Sequence, residues 1–293
     1  MQRHIAFLPI LATLAGIGLF SLMDAFMKSA SLAIGAYSAL LLRSLIGLAL
    51  IGPVWAVLAG AWPSGAVLRI HLLRGIVAAF MALTFFFALT RLPLAEAIAL
   101  SFIAPLVALW LAALLLGEKI RPQAIVAALL GLAGTLVIVG GRIGRERMSD
   151  DAAWGLVALF LSALLYAWNL VLQRQQALVA LPTEVAAFQN GIVSLILLAG
   201  APWLLVLPDA ASWRDVAASA VLSVSAAMVL SWAYRRAEAQ VLVPVEYTGF
   251  LWAVLFGWLF FAEKVTATTI MGAVLIAVGS WISGRNRPEQ SAV

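Results

Sequence analysis

Residues Leu94 to Val139 read LAEAIALSFIAPLVALWLAALLLGEKIRPQAIVAALLGLAGTLVIV. Two long apolar runs flank one charged turn, Glu118-Lys119-Ile120-Arg121-Pro122. A helix of about twenty residues, rising about 1.5 Å per residue, crosses the roughly 30 Å of hydrocarbon in a bilayer. The turn is too short for anything but a hairpin connection between two such helices. The pattern returns from Val254 to Ile282 as VLFGWLFFAEKVTATTIMGAVLIAVGSWI, and Glu118 and Glu263 stand 145 positions apart.

The same offset relates positions far outside the turn. Pro63 falls on Pro208, Arg69 on Arg214, Arg91 on Arg236, Lys119 on Lys264 and Gly134 on Gly279. Alanine and leucine matches carry little weight in so apolar a chain. Scarce prolines and charges recurring in one register carry much more, and they point to an internal duplication.

Composition sets the class. Hydrophobic residues make up 65% of the chain, charged residues 11%, and the mean hydropathy is +1.08. Soluble domains carry about a quarter charged residues, so the chain reads as an all-α integral membrane protein. The net charge of +5 does not signal nucleic acid, because the basic residues sit in short turns between apolar runs, where they anchor headgroups. Cysteine is absent and the histidines are His4 and His71, so no thiolate or histidine-rich metal site is expected, nor any cofactor.

The apolar periodicity predicts ten spans. They are residues 5–27, 35–59, 69–90, 94–116 and 123–141, then 153–173, 184–207, 215–234, 241–262 and 267–283, with Pro63, Pro93, Pro122, Pro182 and Pro208 in or beside the breaks. Residues 1–141 form a first five-helix repeat, 142–152 a polar linker and 153–293 a second repeat. The first span has the basic start of a signal peptide but too long an apolar run, and is read as a retained helix. Five is odd, so the second repeat enters the membrane from the opposite face and the repeats are inverted. The basic residues of alternate turns slightly favour an arrangement with both termini cytoplasmic.

Two five-helix repeats, each closing its fourth helix on a Glu-Lys turn, resemble the EamA-type drug/metabolite transporters. Ala104-Pro105-Leu106 through Gly117-Glu118-Lys119 matches the helix-four signature of that family. Asp24-Ala25-Phe26-Met27-Lys28, Leu42-Arg43 and Tyr247-Thr248-Gly249-Phe250-Leu251-Trp252 resemble its motifs in the first, second and ninth helices. The resemblance implies a multi-pass inner-membrane carrier of a small-molecule substrate. Size and aromatic content suggest the YddG-like amino-acid exporters within it. Riboflavin, a nucleoside or another metabolite is the alternative cargo, and a lipid flippase is the nearest rival.

Polar residues inside spans are costly in hydrocarbon and mark candidate function. Asp24 and Lys28 share a helix face, and the offset carries them onto Asn169 and Gln173, which keeps a polar stripe in both repeats. The alternative is a snorkelling Lys28 paired with Asp24, and Arg43 is expected in an interhelical ion pair with Asp24. His71 and Arg74 read as headgroup and dipole features, and Glu96 as interfacial. Glu246 is the sharpest candidate. It follows Pro244, which removes a helix hydrogen bond, and its counterpart is Ser101. Its alternative role is an interfacial pair with Arg235 or Arg236. If the first, third, fourth, sixth, eighth and ninth helices line one cavity, as the resemblance implies, Phe86, Phe102, Trp168, Trp232 and Tyr247 join Asp24, Ser101, Asn169 and Glu246 around substrate.

An embedded enzyme would need clustered acids or a histidine–acid pair, and the one adjacent acid pair, Asp150-Asp151, lies in the linker. A channel would need a charged ring or filter, which the sequence lacks. The glycine-rich fifth and tenth helices are expected to pack closely or to form a homodimer.

Overall fold

The computed structural model describes residues 2–58, 62–101, 104, 107, 111, 114–115, 122–140, 150–262 and 267–284. The expectations for Phe102, Glu118, Lys119, Glu263 and Lys264, for most of the 142–152 linker and for the side chain of Glu96 lie outside the described residues. All regular structure among the described residues is helical. In chain order the helices are α1 (Gln2–Leu58), α2 (Gly65–Leu89), α3 (Leu94–Ser101), α4 (Pro122–Gly140), α5 (Asp150–Val179) and α6 (Pro182–Leu198). There follow α7 (Ala201–Leu204), α8 (Ala210–Arg236), α9 (Ala239–Leu242), a 3-10 segment (Val243–Thr248), α10 (Gly249–Phe261) and α11 (Ala267–Gly284).

The long α1 is two helices meeting at Gly35, whose φ of 81° and ψ of 150° belong to a region that only glycine occupies freely. The expected first and second spans are therefore its two arms. Prolines open elements as expected: α4 begins at Pro122 and α6 at Pro182, where the missing N–H costs no helical bond. Ser64 caps α2 by accepting from the Val67 N–H, and Asp209 caps α8 by accepting from the Ser212 N–H. These two caps are also 145 positions apart. Hydrogen bonds from Ser212 hold the Asp209 carboxyl below its usual range.

Several spans differ from the sequence expectation, and the seventh, expected to Leu207, ends at Leu198 and is followed by the four-residue α7. Helix α5 continues six residues beyond the expected end at Gln173, to Val179, because Gln173, Arg174 and Gln176 are buried within the bundle. The expected ninth span is interrupted by the 3-10 segment around Pro244, which cannot donate the i→i−4 bond of an α-helix.

Helix α1 packs mainly on α8 and on α6, α2 on α5 and α6, and α4 on α11. The glycines of the last pair serve this packing. A Cβ on Gly279 would stand 2.7 Å from the Ala127 carbonyl oxygen, so the backbones of α4 and α11 approach directly. Alanines, leucines and the rings of Tyr234 and Phe250 fill the interior, while Leu, Ile, Val, Phe and Trp side chains cover much of the outside. An apolar exterior over long helices suits a lipid solvent. Among the described residues Phe7–Leu58, Gly65–Leu89, Ala153–Val179 and Ala210–Arg236 are long and apolar enough to cross a membrane.

Candidate functional site: a cavity lined by both halves

The bundle encloses a cavity of about 190 Å³. Helix α5 presents one continuous polar face to this region. Ser162, Tyr166, Asn169, Gln173 and Gln176 follow one another at steps of four and three, which stacks them along one side of a helix. The first four line the cavity. Opposite them stand Ser21 and Asp24 from α1, Arg43 and Ser44 from its second arm, Arg74 from α2, Ser101 from α3 and Glu246 from the 3-10 segment. Ile17, Phe20, Phe85, Phe86, Ile98 and Leu230 supply apolar surface.

Two acids and two guanidinium groups thus face one space, and no ion pair between described residues joins any of them. Glu246 is buried and accepts from Tyr166 Oη at 2.7 Å and Tyr234 Oη at 2.9 Å, one phenol on each carboxyl oxygen. Pairing with Arg235 or Arg236 is not what holds it. Both arginines are exposed, and Arg236 donates to the Trp232 carbonyl and lies 4.0 Å from its ring.

The expected Asp24–Arg43 ion pair is not formed. Arg43 Nη1 donates to Met23 Sδ at 3.2 Å, its guanidinium lies over the Phe86 ring at 5.5 Å, and its Nε has no partner. Asp24 has no hydrogen-bonding partner among the described residues. Lys28 is buried and not snorkelling, and its Nζ donates to the Leu92 carbonyl at 3.0 Å. A buried donor left open beside an acceptor left open, with a cavity between them, is an arrangement that a ligand with both functions completes.

Arg74 and His71 depart furthest from their expected headgroup role, for both are buried. Arg74 is held by three amide oxygens of α5: Nε on Asn169 at 3.2 Å, Nη2 on Gln173 at 3.0 Å and Nη1 on Gln176. His71 meets Gln176 through Nδ1 and Glu184 of α6 through Nε2 at 2.8 Å, with its ring stacked 4.5 Å from Phe188.

The cavity brings together Asp24, Phe86, Ser101, Asn169 and Glu246 of the residues singled out from the sequence. Trp168, Trp232 and Tyr247 are not in its lining. Trp168 is exposed on the outer side of α5, Trp232 carries Arg236, and Tyr247 packs its ring on Gly131 of α4. The sequence reading missed Arg74, Gln173, Tyr166 and Tyr234 as site residues. The four-and-three spacing of polar residues along α5 was the available signal for two of them. Among the described residues no cluster of three His, Asp or Glu side chains is disposed to hold a metal.

Long apolar helices around a mixed-charge cavity define a multi-pass membrane transporter. The chain belongs to the EamA-like transporter family, whose pattern matches residues 7–140 and again 153–285. It is 31% identical over 271 residues to the pseudopaline exporter CntI of Pseudomonas aeruginosa, covering 92% of this chain and 93% of that protein. It is 26% identical to a riboflavin transporter of Brucella anthropi, over 71% and 73% of the two chains. Over 103 residues, 35% of either chain, it is 37% identical to the aromatic amino acid exporter YddG of Ancylobacter novellus. A solved crystal structure superposes with a TM-score of 0.78 over 94% of this chain and 97% of the other, at 22% identity, which shows the fold alone.

Proposed function

We propose that this transporter exports an amino acid or a similar zwitterionic metabolite across a bacterial inner membrane by alternating access. Its ten spans form two inverted repeats, residues 1–141 and 153–293, joined by the 142–152 linker, with both termini cytoplasmic. One observation carries the cargo class: Asp24 and Arg43 face the same cavity without pairing to each other. An acid and a guanidinium without counter-ions suit a substrate with an ammonium and a carboxylate, with Glu246 as a second acid and Phe86 as an apolar platform. Ser101 and Asn169, the counterparts of Glu246 and Asp24, complete a lining shared by both repeats. An uncharged flavin would leave both charges without a counter-ion, at a cost.

The packing supports the exchange of halves. Under the 145 offset the first arm of α1 becomes α5, the second arm becomes α6, α2 becomes α8 and α4 becomes α11. The contact of α1 with α8 then becomes that of α5 with α2, and the contact of α4 with α11 maps onto itself. A bundle with this symmetry reaches its opposite-facing state when each repeat adopts the other's conformation.

Purified protein in liposomes, loaded with one of a panel of amino acids and given the tritiated form outside, tests the reading. Counterflow is expected for at least one of them, L-phenylalanine being the first to try. Asp24→Asn and Arg43→Gln should each weaken binding at least about tenfold, since a hydrogen bond to a charged group is worth about 1.5–3 kcal/mol. Counterflow of riboflavin or scrambling of lipid, with no amino acid carried, would overturn it.

A further inference from the structure

A chain of hydrogen bonds leaves the cavity along α5 and ends at a partly exposed acid. It runs from Arg74 to Gln176, from Gln176 to His71 Nδ1, and from His71 Nε2 to Glu184, whose side chain is 14% exposed. Its polarity has one solution. Arginine carries only donors, so the Gln176 amide oxygen must face Arg74 and its NH₂ must face His71. His71 Nδ1 is therefore an acceptor, the ring is neutral, and its proton lies on Nε2 toward Glu184. A proton added to Nδ1 would set donor against donor. Gln176 would then lose His71, or flip and turn its NH₂ against Arg74. Doubly protonated His71 cannot coexist with both Gln176 bonds, so one of the two contacts that Gln176 of α5 makes to α2 must break.

We propose that His71 and Glu184 form a proton-binding site linked through Gln176 to Arg74 in the cavity lining, and that this site couples proton movement to transport. The charged groups facing His71 are Glu184 from α6 and Arg74 on its own helix; α5 offers only the uncharged Gln176, and Phe188 of α6 covers the ring. His71 lies in the second turn of α2 and Glu184 in the first turn of α6, near helix starts that the proposed topology puts at the cytoplasmic face. A proton arriving from that side loosens the α2–α5 contact that holds Arg74, and its loss restores the contact. None of the three relay groups beyond Arg74 lines the cavity, so the site is separate from the substrate contacts. The coupling rests on the carrier reading; the proton site itself does not.

The chain has two histidines, so His4→Gln leaves His71 as the sole one. Nitrogen NMR of that protein, histidine-labelled in lipid nanodiscs, should show the single Nε2–H form at the alkaline end. That form should give way to the doubly protonated ring in one step as the pH is lowered. Gln176→Leu, which removes the competing donor, should shift that step. A ring that stays neutral throughout, or a step indifferent to Gln176, overturns the proposal. In liposomes, His71→Gln and Glu184→Gln should keep L-phenylalanine counterflow at equal pH and lose about tenfold of the flux driven by a pH gradient, within the usual coupling between sites. An unchanged gradient response in both variants also overturns it. Absence of wild-type counterflow for every amino acid defeats the carrier reading alone, because the NMR step is read without substrate.

Discussion

Glu246 occupies a backbone irregularity whose cause is two residues away. Pro244 withholds a helix donor, the chain tightens to a 3-10 turn, and the carboxyl group enters the cavity lining between Tyr166 and Tyr234. Glutamine at this position keeps the shape and one acceptor, and a tyrosine hydroxyl can turn to accept from its NH₂. We expect Glu246→Gln to fold with a melting temperature within a few degrees of the wild type, and to bind substrate about tenfold more weakly, a loss of about 1.4 kcal/mol. Its response to a pH gradient should survive, since the proposed proton site is elsewhere. Unchanged affinity would remove Glu246 from the site. The residue itself was legible because an acid after a proline inside an apolar span has no cheap explanation. Arg74 was not, because three residues from His71 and near a helix start it looks like any headgroup anchor. Only the amide oxygens of another helix, 95 to 102 positions away, distinguish it from one.

Helix starts at prolines were read closely from sequence, while the starts capped by Ser64 and Asp209 were placed four and five residues late and the seventh span was carried nine residues past its end at Leu198. The predicted start at Gln123 is Pro122, and the predicted end at Ser283 is Gly284. The end of α5 was missed because Arg174 and Gln176 resemble surface and are core. Periodicity also cannot see single backbone states, and two of these set the element ends. Gly35 joins the arms of α1 at φ 81°, and Ala262 ends α10 in the left-handed region at φ 52°. Alanine there bears a steric cost of about 1–2 kcal/mol that glycine avoids. The corresponding residue in the first repeat is Gly117. Ala262→Gly should therefore raise the unfolding midpoint in detergent by about 1 kcal/mol of stability, and Gly35→Ala should lower it by about 1–3 kcal/mol. Equal midpoints for the two variants would show that neither backbone state is strained.

At the scale of the whole molecule, the proposed topology turns the two halves toward opposite sides of the membrane. In that topology five helices per repeat return the chain to the opposite face, so any position and its partner 145 residues later would lie across the membrane from each other. The equivalent caps at Ser64 and Asp209 and the interchange of helix packings under the same offset fit a two-fold duplication, inverted or parallel. A parallel duplication would keep the offset but would put both loops on one side. Trp62 and Leu207 are a suitable pair for deciding between these arrangements. They precede the two caps by two residues, they are 68% and 75% exposed, and they stand 145 positions apart. The chain has no cysteine, so Trp62→Cys and Leu207→Cys each introduce a single reactive thiol. In intact cells a membrane-impermeant maleimide should label the thiol at 207 and leave the one at 62 until the membrane is opened. Labelling of both from one side would refute the inverted arrangement, and with it the exchange of halves on which alternating access depends. Labelling of 62 alone would keep the inversion and reverse the orientation, moving the His71–Glu184 site to the outer face. Protons would then reach that site from outside, and the pH gradient that drives flux would have the opposite sign.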